Sequence, residues 1–251
     1  MPPRPADAPP HDPVSALTYS DYLKLDILLA TQEPRMSADE RRPATLSEHF
    51  FIVAHQACEL WLKQAIGDIG AATRALRPRD GESDAELAAE LLERVCEVLN
   101  VLLGQLVVLE RLPVRHFAEF RHSLGTASGA ESEQFEELGR LLGDGDGSEV
   151  LFHAFKAAIE RRGLSLTDVC RLGPGAGVHH RIAESLMSIA DRYWRWKITH
   201  LSIISKLIGD LPGTGGTSGL AYLAGRVVQP FAELRRERSH LHADLAPSRA
   251  G

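Results

Sequence analysis

Apolar residues recur at every third or fourth position along most of the chain. Three long segments, 46–76, 85–109 and 178–208, keep this spacing throughout. It places apolar side chains on one face of an α-helix, so we predict a long helix in each. The stripe of the first segment contains Phe51, His55, Cys58, Leu62, Ile66 and Ile69. Shorter helical patterns cover 17–28, 132–142, 149–162 and 220–228.

Alternation typical of β-strands does not persist in any segment, so the predicted fold class is all-α, a bundle of about five long helices. Glycine and proline mark the breaks between helices. We predict a polar loop at 35–45, a small-residue loop at 124–129 and a glycine-rich loop at 212–219. Gly209 is placed to end the last long helix.

The chain is expected to form one domain. Residues 1–15 are rich in proline and small polar residues, which predicts a disordered tail. Residues 16–245 form the predicted helical domain, and residues 246–251 a flexible C-terminus. This division follows from composition and periodicity alone.

Composition narrows the classes of partner. Hydrophobic residues make up 44% of the chain, charged residues 25%, and the formal net charge is −6. This balance gives no basic surface for nucleic acid or anionic membranes, so the expected partner is a small molecule. The longest apolar runs are too short to span a bilayer, and no signal-peptide pattern opens the chain, which predicts a cytoplasmic location. Three widely spaced cysteines are expected to be reduced core thiols.

Two isolated histidines, His55 and His200, fall on apolar stripes of separate predicted helices. A lone histidine on such a stripe is more often a hydrogen-bonded core residue than a ligand. Neither has other metal-ligating residues at suitable spacing. Zinc needs three or four protein ligands, whereas haem iron needs one axial histidine. One histidine could therefore bind iron while the other faces a gas or a substrate.

Arg121 follows two phenylalanines and precedes the small-residue loop. It is either a surface residue in an ordinary ion pair or a clamp for a substrate carboxylate. The 212–219 loop resembles a phosphate-binding loop in composition. It lacks the Lys-Ser/Thr ending of that motif and follows a helix, so we exclude nucleotide binding.

Four segments in this order resemble the tryptophan 2,3-dioxygenase family. They are residues 17–26, residues 50–63 with the motif His-Gln-x-x-Glu-Leu-Trp-x-Lys, Phe120-Arg121 with 125–129, and 194–200 with Gly-Thr-Gly-Gly-Thr-Ser-Gly at 213–219. The second motif together with the glycine loop is the most specific part. The resemblance implies a helical bundle that encloses a b-type haem, bound without thioether links because the sequence has no Cys-x-x-Cys-His motif.

The resemblance also implies residue roles. His200 would be the proximal ligand of the haem iron, and His55 a distal residue that hydrogen-bonds the indole N–H. Arg121 and Thr214 would bind the carboxylate and ammonium groups of the amino acid. The remaining substrate-binding residues would be Phe51, Tyr19, Tyr22, Leu23, Phe117 and Ser128. The implied reaction adds O2 to the indole C2–C3 bond of tryptophan, and the implied assembly is a homotetramer with exchanged N-terminal helices.

The sequence departs from the family pattern near the implied substrate. Phe117 stands where the family usually has tyrosine, and Ala130-Glu131 where it usually has Phe-Gln; the stretch between Gly129 and His200 is also shorter. These differences leave two alternatives open. One is a haem-dependent monooxygenase of a modified tryptophan, and the other is a non-catalytic haem sensor.

Overall fold

The computed structural model describes residues 17–36, 42–78, 83–144 and 149–245, with side chains through residue 241. The predicted tail 1–15 and C-terminus 246–251 lie outside these residues. The described part contains helices and no β-strand, which confirms the all-α prediction. The α-helices are α1 Tyr19–Leu23, α2 Leu25–Leu28, α3 Pro43–Leu76, α4 Ala85–Leu109, α5 Val114–Phe120, α6 Glu133–Leu142, α7 Val150–Arg161, α8 Leu166–Leu172, α9 Val178–Ile208, α10 Leu220–Gly225 and α11 Ala232–Leu245.

The three longest helices are α3, α4 and α9, with 34, 25 and 31 residues. The prediction of about five long helices was therefore too high. The next longest of the described helices, α6, α7 and α11, have only 10, 12 and 14 residues. Helix α3 begins at Pro43, inside the predicted loop. Proline is favoured at the first helical position because its missing N–H would have no partner there. The end of α9 at Gly209, with a φ of 57°, confirms the predicted stop.

Helix α3 runs antiparallel to α4. Near its middle the Cys58 thiol donates to Gln105 Oε1 at 3.3 Å, and further along Arg94 Nε donates to Asp68 Oδ2 at 2.8 Å. Residue numbers therefore rise on α3 as they fall on α4. The early part of α3, with His55, lies beside the end of α4.

Helix α9 runs parallel to α4. Arg181 Nη2 lies 2.9 Å from Glu93 Oε1 near the start of α9, and Lys206 Nζ donates to the Glu110 carbonyl at 2.5 Å near its end. The late part of α9, with His200, consequently lies beside the end of α4 as well. Opposite chain directions thus bring an early residue of α3 and a late residue of α9 to the same end of the bundle.

Helices α5, α8 and α11 were not predicted, and the last helical pattern, placed at 220–228, was too long because α10 ends at Gly225. Helices α5 and α8 have only seven residues each, and α11 is mostly polar, so none of the three gives a clear apolar stripe. Buried Phe231 precedes α11 and packs 5.6 Å from Phe152, centre to centre, which attaches α11 to the core.

The first helical pattern, residues 17–28, forms an exposed N-terminal arm. A break at Lys24, which has a φ of 54°, divides it into α1 and α2. The side chains of Tyr19 and Tyr22 are 76% and 72% exposed. Residues that are both aromatic and exposed to this degree are unusual in a stable monomer, so this arm has an unpartnered apolar surface.

Two of the three cysteines lie in the core, as expected. All three thiols are free; Cys58 and Cys96 are buried, and Cys170 is half-buried. None of the helices in the described ranges combines the length and apolar character needed to cross a bilayer.

We expect Asp68→Asn to destabilise the fold by about 1–2 kcal/mol at pH 7, because the buried carboxylate bonds with Arg94, which is itself largely exposed. Burial raises the pKa of Asp68, but hydrogen bonds from Arg94 and Gln64 lower it more, and the net pKa is below the usual value. The loss should therefore shrink as the pH falls through that lowered pKa, where the wild-type carboxyl is protonated too.

Urea unfolding at several pH values measures this difference. Glu137→Gln is the matched control, since its partner Arg140 lies on the same exposed helix turn and the change should cost less than about 0.5 kcal/mol. The prediction would be contradicted if Asp68→Asn lowered the free energy of unfolding at pH 7 no more than Glu137→Gln does.

Candidate functional site

A groove between α3 and α9 holds both predicted histidines. Each of these helices packs along α4, and neither packs extensively along the other in the described part of the chain. Between them, buried apolar side chains line the floor over the last turns of α4. This floor cluster consists of Ala54, Leu106, Leu109 and Ile203. We call this space the central groove.

Helix α5 closes one end of the central groove. Phe117 and Phe120 on α5 are buried, and their rings meet edge to face with centres 5.3 Å apart. Phe51 on α3 lies 6.0 and 5.5 Å from these two rings. The structure thus joins two predicted site residues, Phe51 and Phe117, in one aromatic wall, and adds Phe120, which the sequence interpretation did not assign to the site.

Helix α6 closes the other end. Phe135 on α6 lies 4.7 Å from the Trp196 ring on α9, and Trp196 stacks on His200 with centres 5.1 Å apart and planes 15° apart. Trp196 lies in the 194–200 segment that resembles the family, although no role was predicted for it. Its position four residues before the histidine was the available signal, because residues four apart share a helix face.

His200 is half-buried and makes no hydrogen bond to any residue that the structure describes. Burial, with a smaller contribution from the nearby His55, lowers the pKa of His200 to about 4. The imidazole is therefore uncharged at neutral pH. A neutral imidazole with an unused nitrogen is the form that binds a metal ion.

His55 is solvent-accessible at the groove, but the surrounding protein desolvates its ring enough to change its pKa. Desolvation lowers its pKa, which outweighs the opposing hydrogen bond to Phe51 and the charge of Glu59. Nδ1 lies 2.7 Å from the Phe51 carbonyl oxygen. Because a carbonyl can only accept, Nδ1 must carry the proton, and Nε2 of the neutral ring is left as an acceptor.

Each of the two histidines keeps a nitrogen that could bind a metal. In His55 this is Nε2, because Nδ1–H bonds with the Phe51 carbonyl, and in His200 neither nitrogen is hydrogen-bonded to a described residue. No group of three or more His, Cys, Asp or Glu side chains in the described ranges could hold a metal ion. A single imidazole is sufficient for a group that needs one axial ligand, as haem does.

One further observation fits a missing group beside His200. Trp196 Nε1 is a buried N–H with no hydrogen-bond partner among the described residues, which is uncommon in folded proteins. This N–H, the apolar floor and the imidazole of His200 lie on the same side of the groove. The residues present therefore fit a haem.

Two loops meet beside the aromatic wall, and both contain predicted substrate-binding residues. Arg121 Nη2 donates to the Pro212 carbonyl at 2.5 Å, and Thr214 Oγ1 donates to the Ala127 carbonyl at 2.6 Å. A side chain at Gly215 would meet Ser128 Cβ at 2.9 Å. The 125–131 loop and the 211–219 loop are thus packed on each other, and Arg121, Ser128 and Thr214 are brought together.

Two of the residues that depart from the family pattern, Ala130 and Glu131, lie at the edge of these loops. Ala130 is exposed. The Glu131 carboxylate accepts the Ser128 backbone N–H at 3.2 Å, and Ser128 Oγ accepts the Ala130 N–H at 3.3 Å. Glu131 therefore caps a local turn, and its charge faces its own backbone.

Three predicted substrate-binding residues, Tyr19, Tyr22 and Leu23, are not brought to the groove of their own chain. They lie exposed on the N-terminal arm. The arm leaves the bundle close to the site, since Gln32 Nε2 donates to Gln56 Oε1 at 2.7 Å, next to His55. Any contact of these three residues with a groove would have to be made in another copy of the chain.

Two other hollows on the surface contain none of the predicted residues. One, of about 390 Å³, lies between α4 and α9 near Cys96 and His180, and the other, of about 300 Å³, lies against α7 near His153. The chemistry expected from the sequence is therefore concentrated in the open central groove.

The sequence of the chain is similar to those of one enzyme family. The family model for tryptophan 2,3-dioxygenase matches residues 5–161 and 161–241. A tryptophan 2,3-dioxygenase of Caulobacter vibrioides is 30% identical, over 90% of this chain and 98% of its own length. Those of Nocardioides sp. and Bradyrhizobium diazoefficiens are 32% and 27% identical, each over 90% of this chain and over 95% and 93% of their own lengths. The chain therefore belongs to the tryptophan 2,3-dioxygenase family, a family of haem-dependent enzymes.

Proposed function

We propose that this chain is a haem-dependent oxygenase that adds both atoms of O2 to the indole C2–C3 bond of L-tryptophan or a substituted tryptophan, giving an N-formylkynurenine-type product. The observation that carries the proposal is the pair of uncharged imidazoles at one end of an apolar groove, of which only His200 has both nitrogens free. Membership of the family supports the same reaction.

His200 would hold the iron of a b-type haem as its proximal ligand. Trp196 stacks on its ring and limits rotation of the imidazole, which favours a fixed direction of the ligating nitrogen. When bound, the haem supplies the binding and activation of O2, chemistry that no side chain of the groove can provide. The protein supplies orientation and a desolvated setting.

His55 would accept the indole N–H through Nε2. Its Nδ1–H is held by the Phe51 carbonyl, which fixes both the tautomer and the direction of the ring. The lowered pKa keeps Nε2 an acceptor at neutral pH. A correctly oriented acceptor positions the C2–C3 bond toward the reacting side of the groove, and positioning of this kind is a large part of catalysis.

Arg121 and Thr214 would bind the amino acid backbone of the substrate. Both side chains now bond with loop carbonyls, of Pro212 and Ala127 respectively. A carboxylate is a stronger partner for a guanidinium than a neutral carbonyl, so substrate can replace the Pro212 contact. Phe51 and Phe117 would pack against the indole ring, with Ser128 at the loop edge.

The exposed position of Ala130, where the family usually has phenylalanine, supports a substituted tryptophan as substrate, because no bulky side chain fills that edge. The same change, with Phe117 in place of tyrosine, favours a second candidate: a monooxygenase that adds one oxygen atom, giving an oxindole or a hydroxylated product, and releases the other as water with two electrons from an external reductant. A non-catalytic haem sensor is the remaining alternative.

We further propose a cytosolic homotetramer in which the arm of one copy lies against the groove of another. The exposed apolar surface of the arm supports this exchange. It would bring Tyr19, Tyr22 and Leu23 to a site that lacks them within one chain.

The function is tested by supplying the protein with haem under anaerobic conditions, then adding ¹⁸O2 and L-tryptophan or methylated tryptophans. Mass analysis should show a product that has gained two labelled oxygen atoms. Gain of one labelled atom would instead establish the monooxygenase, and a normal haem spectrum without turnover of any indole would establish the sensor.

His200→Ala should abolish stoichiometric haem binding, because the proposal assigns His55, the other imidazole of the groove, to the indole N–H and not to the iron. Titration with haem, followed by the Soret band, measures this loss, and added imidazole should partly restore the band by filling the vacated space. His153→Ala, an exposed histidine on α7, is the control and should bind haem normally. Full haem occupancy of His200→Ala without imidazole would refute the assignment.

Arg121→Leu should raise the KM for L-tryptophan by about 10- to 100-fold, since a charge-assisted hydrogen bond contributes about 1.5–3 kcal/mol. Steady-state kinetics of the haem-loaded enzyme provide the measurement. Arg115→Leu is the matched control, because Arg115 lies on α5, which ends directly before Arg121, and among the described residues it pairs only with Glu119. Equal KM values for the two variants would rule out the carboxylate clamp.

A further inference from the structure

Glu59 belongs to the motif shared with the family but has no part in the site described so far. It lies on α3, one helical turn after His55, and is half-buried. Its Oε1 accepts a hydrogen bond from Ser132 Oγ at 2.8 Å, and its Oε2 accepts one from Gln134 Nε2 at 2.8 Å. Gln134 Nε2 also lies 2.8 Å from the backbone oxygen of Glu59. We call these contacts the Glu59 latch.

The latch fastens the end of the 125–131 loop to α3. Ser132 directly follows this loop and caps α6 by accepting the Phe135 N–H at 3.1 Å. Both oxygens of one carboxylate are thus occupied by two side chains within three residues of the loop. A carboxylate with donors on both oxygens fixes direction as well as distance.

The loop that the latch holds is the platform for the glycine loop. Thr214 donates to the carbonyl of Ala127, and Gly215 approaches Ser128 too closely for a side chain to fit between them. Movement of the 125–131 loop would therefore move Thr214 with it. Through this chain of contacts, Glu59 links the predicted substrate-backbone site to the helix of His55.

Stability alone is a poor reason for this carboxylate. Glu59 pairs with no lysine or arginine in the described part of the chain, so its charge is compensated by neutral donors only. A half-buried carboxylate without a cation is a costly way to join two helices. The arrangement makes sense where the relative position of the two elements is what matters.

We propose that Glu59 is a positioning residue of the oxygenation: it holds the 125–131 loop, and with it Thr214, at a fixed distance from His55. This role rests on the proposed function, because it assigns Thr214 and His55 to opposite ends of one substrate. Glu59 itself touches neither substrate nor haem.

The test compares three variants of the haem-loaded, full-length protein with the wild type. Glu59→Met keeps the approximate length of the side chain but removes both acceptors of the latch. Glu59→Gln is the conservative variant, because its amide oxygen can accept from Gln134 Nε2 while its NH2 group donates to Ser132 Oγ. Glu97→Gln, an exposed carboxylate on α4 that bonds with Asn100, is the matched control.

We expect Glu59→Met to keep its Soret band and raise the KM for L-tryptophan about tenfold, with kcat changed less than about threefold. Glu59→Gln should keep KM within about threefold of wild type. Amide hydrogen exchange should be faster in the 125–131 and 211–219 segments of Glu59→Met and close to the wild-type rate in Glu59→Gln. The control should match the wild type in every measurement.

An unchanged KM or unchanged loop exchange in Glu59→Met overturns the proposal, as does a Glu59→Gln variant no better than Glu59→Met. If Glu59→Met does not fold, Gln134→Met decides in its place, because it removes one donor of the latch from a half-buried position on α6. Failure of the wild type to turn over any indole would refute the proposed function separately, and the exchange comparison would still show whether Glu59 holds the loop.

Discussion

The packing of α3 and α9 along a shared partner, α4, is the constraint on which the site depends. Because α3 runs against α4 and α9 runs with it, the early turns of one and the late turns of the other meet at the same end of the bundle. The apolar floor between them keeps both helices attached to α4 while leaving them apart from each other. His55 and His200, 145 positions apart in sequence, become neighbours through this arrangement alone.

This packing desolvates both histidines, and desolvation sets their protonation state. Burial lowers the pKa values of both histidines, and His55 makes a smaller contribution to the lowering of the pKa of His200. Water could otherwise keep either ring partly protonated near neutral pH, and a protonated imidazole can neither ligate iron nor accept an indole N–H. The hydrogen bond of His55 to Phe51 then distinguishes the two rings, since it commits one nitrogen of His55 and leaves His200 uncommitted. The aromatic walls from α5 and α6 limit the space in which these nitrogens can act.

Much of this could be predicted from the sequence, and the failures have physical reasons. Long helices with wide apolar stripes were identified because their period is set by burial against α4, and the histidines on those stripes were found with them. Helix α11 could not be found this way, because it is attached by Phe231 and by ion pairs such as Lys156–Glu233. The break at Lys24 depends on one residue in the left-handed region, for which lysine gives no signal. The cap made by Glu131 is a contact with local backbone, and the latch made by Glu59 joins side chains that are distant in sequence; apolar periodicity contains no information about either.

The central claim is that the space between α3 and α9 binds a porphyrin through one imidazole and leaves the opposite face open. A crystal structure of the haem-loaded protein tests it most directly. The account predicts porphyrin density in the central groove, with a nitrogen of His200 on the iron and His55 on the other side without a bond to the metal. Porphyrin density elsewhere, or iron bound by both histidines, would contradict it.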